Sequence, residues 1–135
     1  MTPMKKVFVV EDHLTMRSML ATLVGRTSGL EMCGEAESAE KALQEIPAAS
    51  PDIILIDVSL PRMNGIELAR HIRAERPDLP ILFISGHDES VYAEQAYQVG
   101  AQGYTTKGDP SVIMTALQDV LQGKLCFKHH PLSSN

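Results

Sequence analysis

The chain of 135 residues has few cysteines, no excess of basic residues and no long apolar run. Its two cysteines, Cys33 and Cys126, stand in unrelated contexts. We interpret both as small apolar residues of a reducing compartment rather than as a disulfide. Twelve Lys and Arg against 17 Asp and Glu give a formal charge of −5, which disfavours nucleic-acid binding by this chain alone.

No apolar run is long enough to cross a membrane, and the N-terminus lacks the apolar segment and cleavage site of a signal peptide. With the reduced cysteines, this predicts a cytoplasmic protein that has no membrane partner. The chain has no internal repeat or low-complexity tract, and its size is typical of one compact domain. We predict one domain over residues 1–124, followed by a tail or the start of a linker over residues 125–135.

What the chain does have is a regular alternation of apolar runs and amphipathic segments. Residues 7–10, 53–56 and 81–84 are continuous apolar runs, typical of strands that helices cover on both faces. Residues 30–33 alternate between apolar and polar types, as an edge strand does, and residues 104–106 form a short last strand.

Five amphipathic segments follow these strands and are predicted to be helices. The first covers about residues 14–27, and another opens at Gly65 after a turn. The other three begin after suitable N-cap residues, namely Ser38, Asp88 and Asp109. We expect Pro47 and Pro51 to end the helix that Ser38 caps and to delimit a loop.

Strict alternation of strand and helix predicts an α/β fold with a parallel sheet, helices on both faces and right-handed crossovers. The doubly wound, flavodoxin-like order 2-1-3-4-5 fits best, because it places the alternating second strand at an edge of the five-stranded sheet. In such folds a crevice lies at the carboxyl edge between the first and third strands, and ligands bind there.

Charged and polar side chains stand where four of these strands end. Glu11 and Asp12 follow the first strand, Asp57 ends the third, Ser85 ends the fourth and Lys107 follows the last. Because the carboxyl ends of parallel strands meet at one edge of the sheet, we expect these residues to converge, although they are about a hundred positions apart in the chain.

Three crowded carboxylates repel one another and need a cation, and oxygen ligands with open water positions suit Mg²⁺. Asp57 is then placed to attack phosphorus and form an acyl phosphate. Mg²⁺ and Lys107 would neutralise the phosphoryl group, and the Ser85 hydroxyl would donate a hydrogen bond to it. His13 and His71 are interpreted as surface residues.

Four motifs carry a resemblance to a known family. They are Glu11-Asp12, residues 57–65 with the sequence DVSLPRMNG, Ile84-Ser85-Gly86, and residues 104–107 with the sequence YTTK. In this order and at these strand ends, they resemble the receiver domain of two-component response regulators over about residues 5–123. The last helix resembles that of the receiver half of LuxR-type regulators, whose DNA-binding half has no counterpart in these residues.

The resemblance implies that a sensor histidine kinase or phosphotransfer protein phosphorylates Asp57. It implies Mg²⁺ bound by Asp12, Asp57 and the backbone carbonyl of Ser59, with Glu11 acting through water. It also implies a switch, in which the hydroxyl of Ser85 moves toward the phosphoryl group and the ring of Tyr104 moves inward. A homodimer partner or an output domain or protein would read the altered surface.

Within the family, such a chain is no turnover enzyme, but it phosphorylates itself with Mg²⁺ and loses the phosphate slowly. The positions of Ser59 and His87 tune that loss in relatives. Gly108 follows Lys107 where relatives often have proline, so nothing in the sequence requires a cis peptide bond there.

The principal alternative is a receiver-like interaction module that works without phosphate. A phosphatase of the haloacid dehalogenase type would need a second aspartate where Ser59 stands. A flavodoxin-like cofactor binder would present hydroxyls and amides to phosphate in its first loop, where Glu11 and Asp12 would repel it. DNA binding would require a basic surface or a helix-turn-helix, and the sequence has neither.

Overall fold

The computed structural model describes residues 3–86 and 90–127. Its strands are β1 (Lys5–Val10), β2 (Leu30–Ala36), β3 (Ile53–Asp57), β4 (Ile81–Ser85), β5 (Gly103–Thr106) and β6 (Cys126–Phe127). Its helices are α1 (Leu14–Arg26), α2 (Ala39–Ala49), α3 (Gly65–Glu75), α4 (Ser90–Gln98) and α5 (Pro110–Leu121). Within these described ranges, no helix has both the length and the apolar character that a membrane crossing requires.

The strands form one parallel sheet in the order β2-β1-β3-β4-β5-β6. The predicted order of the first five strands is therefore confirmed, with the alternating strand β2 at one edge. The sequence did not predict β6, which lies in the segment 125–135. Phe127 in this strand is buried, and its ring meets the ring of Tyr97 edge-on at a centroid distance of 5.5 Å. Through this ring contact, the two-residue strand packs against the edge of the core.

The core consists of two layers, one on each face of the sheet. Ile54 and Ile56 belong to the layer beneath α2, α3 and α4. Ile53 and Leu55 belong to the layer beneath α1 and α5. Each of these four side chains is fully buried. Successive residues of a strand point to opposite faces, so a strand covered on both sides must be apolar at every position.

The helix starts follow the predicted capping chemistry where the structure describes them. Ser38 accepts a hydrogen bond from the Lys41 amide, and Asp109 accepts one from the Ser111 amide. The predicted cap Asp88 lies outside the described residues.

The prediction was wrong for Pro47, which lies inside α2, whereas the helix does stop before Pro51. The helix continues to Ala49 and ends where Ser50 adopts a left-handed conformation with φ 47°. Proline has a φ compatible with a helix, but it cannot donate to the Leu43 carbonyl and its ring crowds that carbonyl, and only two helical residues follow Pro47. Ile46 remains buried against the sheet just before it, which keeps this turn in place.

Candidate functional site

Three strand ends bring charged residues into contact at the carboxyl edge of the sheet. Glu11 follows β1, Asp57 ends the neighbouring strand β3, and Lys107 follows β5. The Lys107 Nζ atom lies 2.8 Å from Glu11 Oε1 and 2.9 Å from Asp57 Oδ2. The fold thus joins residues from positions 11, 57 and 107 in one ion-pair cluster.

This cluster is shielded from water. The side chain of Glu11 is 0% exposed and that of Asp57 is 1% exposed, whereas Lys107 is 19% exposed. Burial raises the pKa of Glu11, and contact with Lys107 offsets part of that effect. Burial alone would lower the pKa of Lys107, but its hydrogen bonds to Glu11 and Asp57 raise it above its ordinary value. Lys107 therefore carries its positive charge at neutral pH.

Asp57 is held through both of its carboxylate oxygens. Its Oδ1 atom accepts a hydrogen bond of 3.0 Å from the Ser59 amide, and its Oδ2 atom accepts one from Lys107. The turn after β3 closes tightly, because the Gly65 amide donates to the Val58 carbonyl at 3.0 Å. A Cβ atom at Gly65 would clash with the Asp57 carbonyl oxygen, so only glycine fits where α3 begins.

Asp12 and His13 complete the acidic side of the site. One oxygen of Asp12, Oδ1, is buried and accepts no hydrogen bond from the described residues. One ligand atom from each of Glu11, Asp12, His13 and Asp57 lies within 4.8 Å of the other three. Three carboxylates beside one ammonium leave an excess of two negative charges when all are ionised. A buried oxygen without a hydrogen bond and this excess charge both fit a divalent cation.

Ser85 and Tyr104 occupy different parts of the fold. Ser85 is buried at the end of β4, and its carbonyl oxygen accepts a hydrogen bond of 2.9 Å from the Lys107 amide. Tyr104 is also buried, in the layer beneath α4, and pairs with Phe83 two positions before the end of β4. The structure places Ser85 beside the Lys107 loop, whereas Tyr104 lies deeper in the core.

Three further sequence predictions concern this region. The backbone carbonyl of Ser59 remains a predicted ligand, since the contact that the structure gives for Ser59 is through its amide. His87 lies outside the described residues. The Lys107–Gly108 peptide bond is trans.

The prediction that His13 is a surface residue is confirmed, but its contact with two acids was not predicted. The side chain is 70% exposed, yet Nδ1 lies 3.1 Å from Glu11 Oε2 and 3.4 Å from Asp12 Oδ1. Its position directly after Glu11-Asp12 was the available signal.

Known proteins resemble both the sequence and the fold. The family model described as the response regulator receiver domain matches residues 7–118. The DNA-binding transcriptional activator DevR/DosR of Mycobacterium tuberculosis is 38% identical over 122 residues, which are 90% of this chain and 56% of that protein. The response regulator GacA of Pseudomonas syringae is 33% identical over 105 residues, which are 78% of this chain and 49% of that protein.

Among solved structures, a LuxR-family two-component response regulator from Aurantimonas superposes with a TM-score of 0.88 at 32% identity. That match covers 97% of this chain and 93% of the other. By contrast, the chain spans only about half the length of the curated relatives it matches.

Proposed function

Because this chain belongs to the response regulator receiver domain family, we propose that it is the phosphoacceptor switch of a two-component phosphorelay, with Asp57 receiving the phosphoryl group. The observation that carries the proposal is the buried contact of Lys107 with both Asp57 and Glu11. A buried carboxylate beside a fixed ammonium can become an acyl phosphate without leaving its new charge uncompensated.

The reaction is a transfer of a phosphoryl group from a phosphohistidine. A carboxylate oxygen of Asp57 forms the new P–O bond while the P–N bond to the donor imidazole breaks, and the imidazole leaves with the electron pair. The Ser59 amide and Lys107 fix the orientation of the carboxylate before the attack. Phosphoryl transfer depends chiefly on such positioning and on charge neutralisation.

Asp12, Asp57 and the Ser59 carbonyl are the proposed Mg²⁺ ligands, with Glu11 acting through water. When bound, Mg²⁺ would neutralise negative charge on the oxygens of the phosphoryl group. The buried Asp12 oxygen that accepts no hydrogen bond from the described residues supports this assignment. Lys107 neutralises the group from its own side and, with a raised pKa, keeps its proton.

The switch follows from a change in the partners of Lys107. Phosphorylation adds a charge of roughly −1.5 to −2 and new acceptor oxygens. These attract the Lys107 ammonium and the Ser85 hydroxyl. The Lys107 amide is bound to the Ser85 carbonyl, so a shift of either residue is transmitted to the loops after β4 and β5. Tyr104 then repacks beneath α4, which changes the surface that a partner reads.

The partners follow from the family and from the chain's length relative to its relatives. A sensor histidine kinase or phosphotransfer protein in the cytoplasm supplies the phosphoryl group. DevR/DosR is a DNA-binding activator, and this chain matches only 56% of its length. We therefore assign DNA binding to an output domain or partner protein rather than to these residues, which carry a net charge of −5.

The test is phosphorylation of the purified protein by acetyl phosphate in the presence of Mg²⁺, followed by measurement of intact mass. The expected result is an increment of one phosphoryl group that Asp57→Asn abolishes and that a chelator prevents. Asp78→Asn is the matched control, because Asp78 is exposed and remote from the cluster. A folded protein that gains no increment from acetyl phosphate or phosphoramidate would favour the phosphate-independent interaction module.

A further inference from the structure

His13 occupies the N-cap position of α1 without acting as a cap. Its backbone is extended, with φ −84° and ψ 117°, and its side chain makes no capping hydrogen bond. Histidine is not among the residues that N-cap positions favour, so helix stability does not account for its presence. Instead, Nδ1 lies 3.1 Å from Glu11 Oε2 and 3.4 Å from Asp12 Oδ1.

The main chain anchors this arrangement. The His13 amide donates a hydrogen bond of 3.1 Å to the same Glu11 Oε2 atom that faces the ring. The start of α1 is fixed further, because Arg17 donates from its guanidinium to the Glu11 carbonyl at 2.9 Å. The ring therefore has a fixed attachment point beside the acids, while its 70% exposure leaves it room to turn.

The four groups together make a mixed set of donor atoms. Glu11, Asp12 and Asp57 supply oxygen and His13 supplies nitrogen, with all four ligand atoms within 4.8 Å of one another. The buried Asp12 Oδ1 atom, which accepts no hydrogen bond from the described residues, belongs to this set. Mg²⁺ prefers oxygen donors and retains water, whereas imidazole nitrogen suits zinc, nickel and other first-row transition ions.

We propose that His13 is an additional ligand of this site, which enables it to bind first-row transition divalent ions through Nδ1 as well as Mg²⁺ through oxygen alone. The inference rests on the divalent-cation site of the proposed function. His13 would then set the metal selectivity of the site, because a transition ion would bind the ring nitrogen and Mg²⁺ would not. Replacing His13 should then affect one class of ion and spare the other.

The experiment measures the affinities of chelator-treated, untagged protein for Mg²⁺, Co²⁺ and Ni²⁺ by calorimetric titration. The parent for all variants carries His129→Gln and His130→Gln, so that the adjacent histidines near the C-terminus contribute nothing. His13→Gln should weaken Co²⁺ and Ni²⁺ binding by at least about tenfold, a loss that even outer-shell partners of a metal site can cause. Its Mg²⁺ affinity should equal that of the parent.

Two further measurements identify the ligand. In the parent, Co²⁺ should produce a paramagnetic shift of the His13 ring protons, and His71→Gln, a change at the exposed histidine of α3, should alter nothing. Co²⁺ affinity that is equal in His13→Gln and the parent, with Mg²⁺ binding intact, overturns the inference and leaves the proposed function standing. Failure of the parent to bind Mg²⁺, or equal Mg²⁺ binding by Asp12→Asn, contradicts the proposed cation site itself.

Discussion

At the scale of single residues, Lys107 makes the acidic site compatible with a folded protein. Two carboxylates, on Glu11 and Asp57, are almost completely removed from water and lie on either side of its ammonium group. Buried charges need direct partners, since the interior cannot solvate them as water does. Lys107 thus has a structural role in the resting protein as well as the proposed role toward phosphate.

Lys107→Met should destabilise the protein by about 3 kcal/mol, because it leaves two neighbouring buried carboxylates without their cation. Urea unfolding in a chelator-containing buffer measures this loss. The matched control is Lys124→Met, whose exposed ammonium lies 4.0 Å from Asp119 and should change stability by less than about 1 kcal/mol. Adding Asp57→Asn to Lys107→Met should restore part of the loss. Equal stability of Lys107→Met and the parent would contradict this account.

Some of these residue contacts could be predicted from the sequence, and others could not. The proximity of Glu11, Asp57 and Lys107 follows from strand ends alone, since parallel topology decides it. The contact of His13 with two carboxylates depends on the direction of one ring at a helix start, which no periodicity encodes. Likewise, the burial of Tyr104 follows from the strand pattern, whereas its proposed movement depends on a second packing arrangement.

At the scale of elements, the connection from β3 to α3 sets the position of Asp57. The Asn64 side chain caps α3 by accepting a hydrogen bond from the Glu67 amide. The Glu67 carboxylate in turn accepts one from the Asn64 amide. This capping box starts the helix one residue after the cap, at Gly65, where no side chain can be accommodated. The helix start therefore abuts the strand end that carries Asp57, the proposed phosphoacceptor.

Gly65→Ala should lower the free energy of unfolding by about 1 kcal/mol or more, because overpacking moves the backbone. It should also slow phosphorylation by acetyl phosphate, since the shift displaces Asp57. Gly25→Ala is the same substitution in α1, where a Cβ meets nothing within 4 Å. It should stabilise the protein by about 0.5–1 kcal/mol and leave phosphorylation unchanged. Effects of the same sign in both variants would contradict the close approach at Gly65.

Elements also show where local signals are insufficient. Two residues cannot display a period, so β6 is visible only through its pairing with β5 and the contact of Phe127 with Tyr97. Proline is a reliable break in a helix interior, but Pro47 lies in the last turn, where tertiary packing compensates for the missing hydrogen bond. In both cases, contacts distant in sequence decided the local structure.

At the scale of the whole molecule, the two edges of the sheet have different roles. At the amino edge, the Arg73 guanidinium donates to the carbonyls of Arg76, Pro77, Leu79 and Gly100, and so joins the segments that enter β4 and β5. The carboxyl edge instead gathers like charges that favour a bound cation over close packing. The amino edge is thus tied together by hydrogen bonds of Arg73, whereas the proposed response to phosphate belongs to the carboxyl edge.

This division predicts that Mg²⁺ stabilises the whole protein through the carboxyl edge. An ion that binds only the folded state stabilises it by about 2.7 kcal/mol when its concentration is a hundred times its Kd. The midpoint of thermal unfolding should therefore rise with the logarithm of Mg²⁺ concentration above the Kd.

Asp12→Asn should weaken this dependence strongly. Without Mg²⁺, the variant should be more stable than the parent by about 1 kcal/mol, because one of three mutually repelling carboxylates is gone. Calorimetric scans with and without chelator measure both effects, with Asp78→Asn as the control of equal charge change. A parent midpoint that does not respond to Mg²⁺, or an Asp12→Asn variant that is less stable in chelator, would show that the acidic cluster is not under electrostatic strain that a cation relieves.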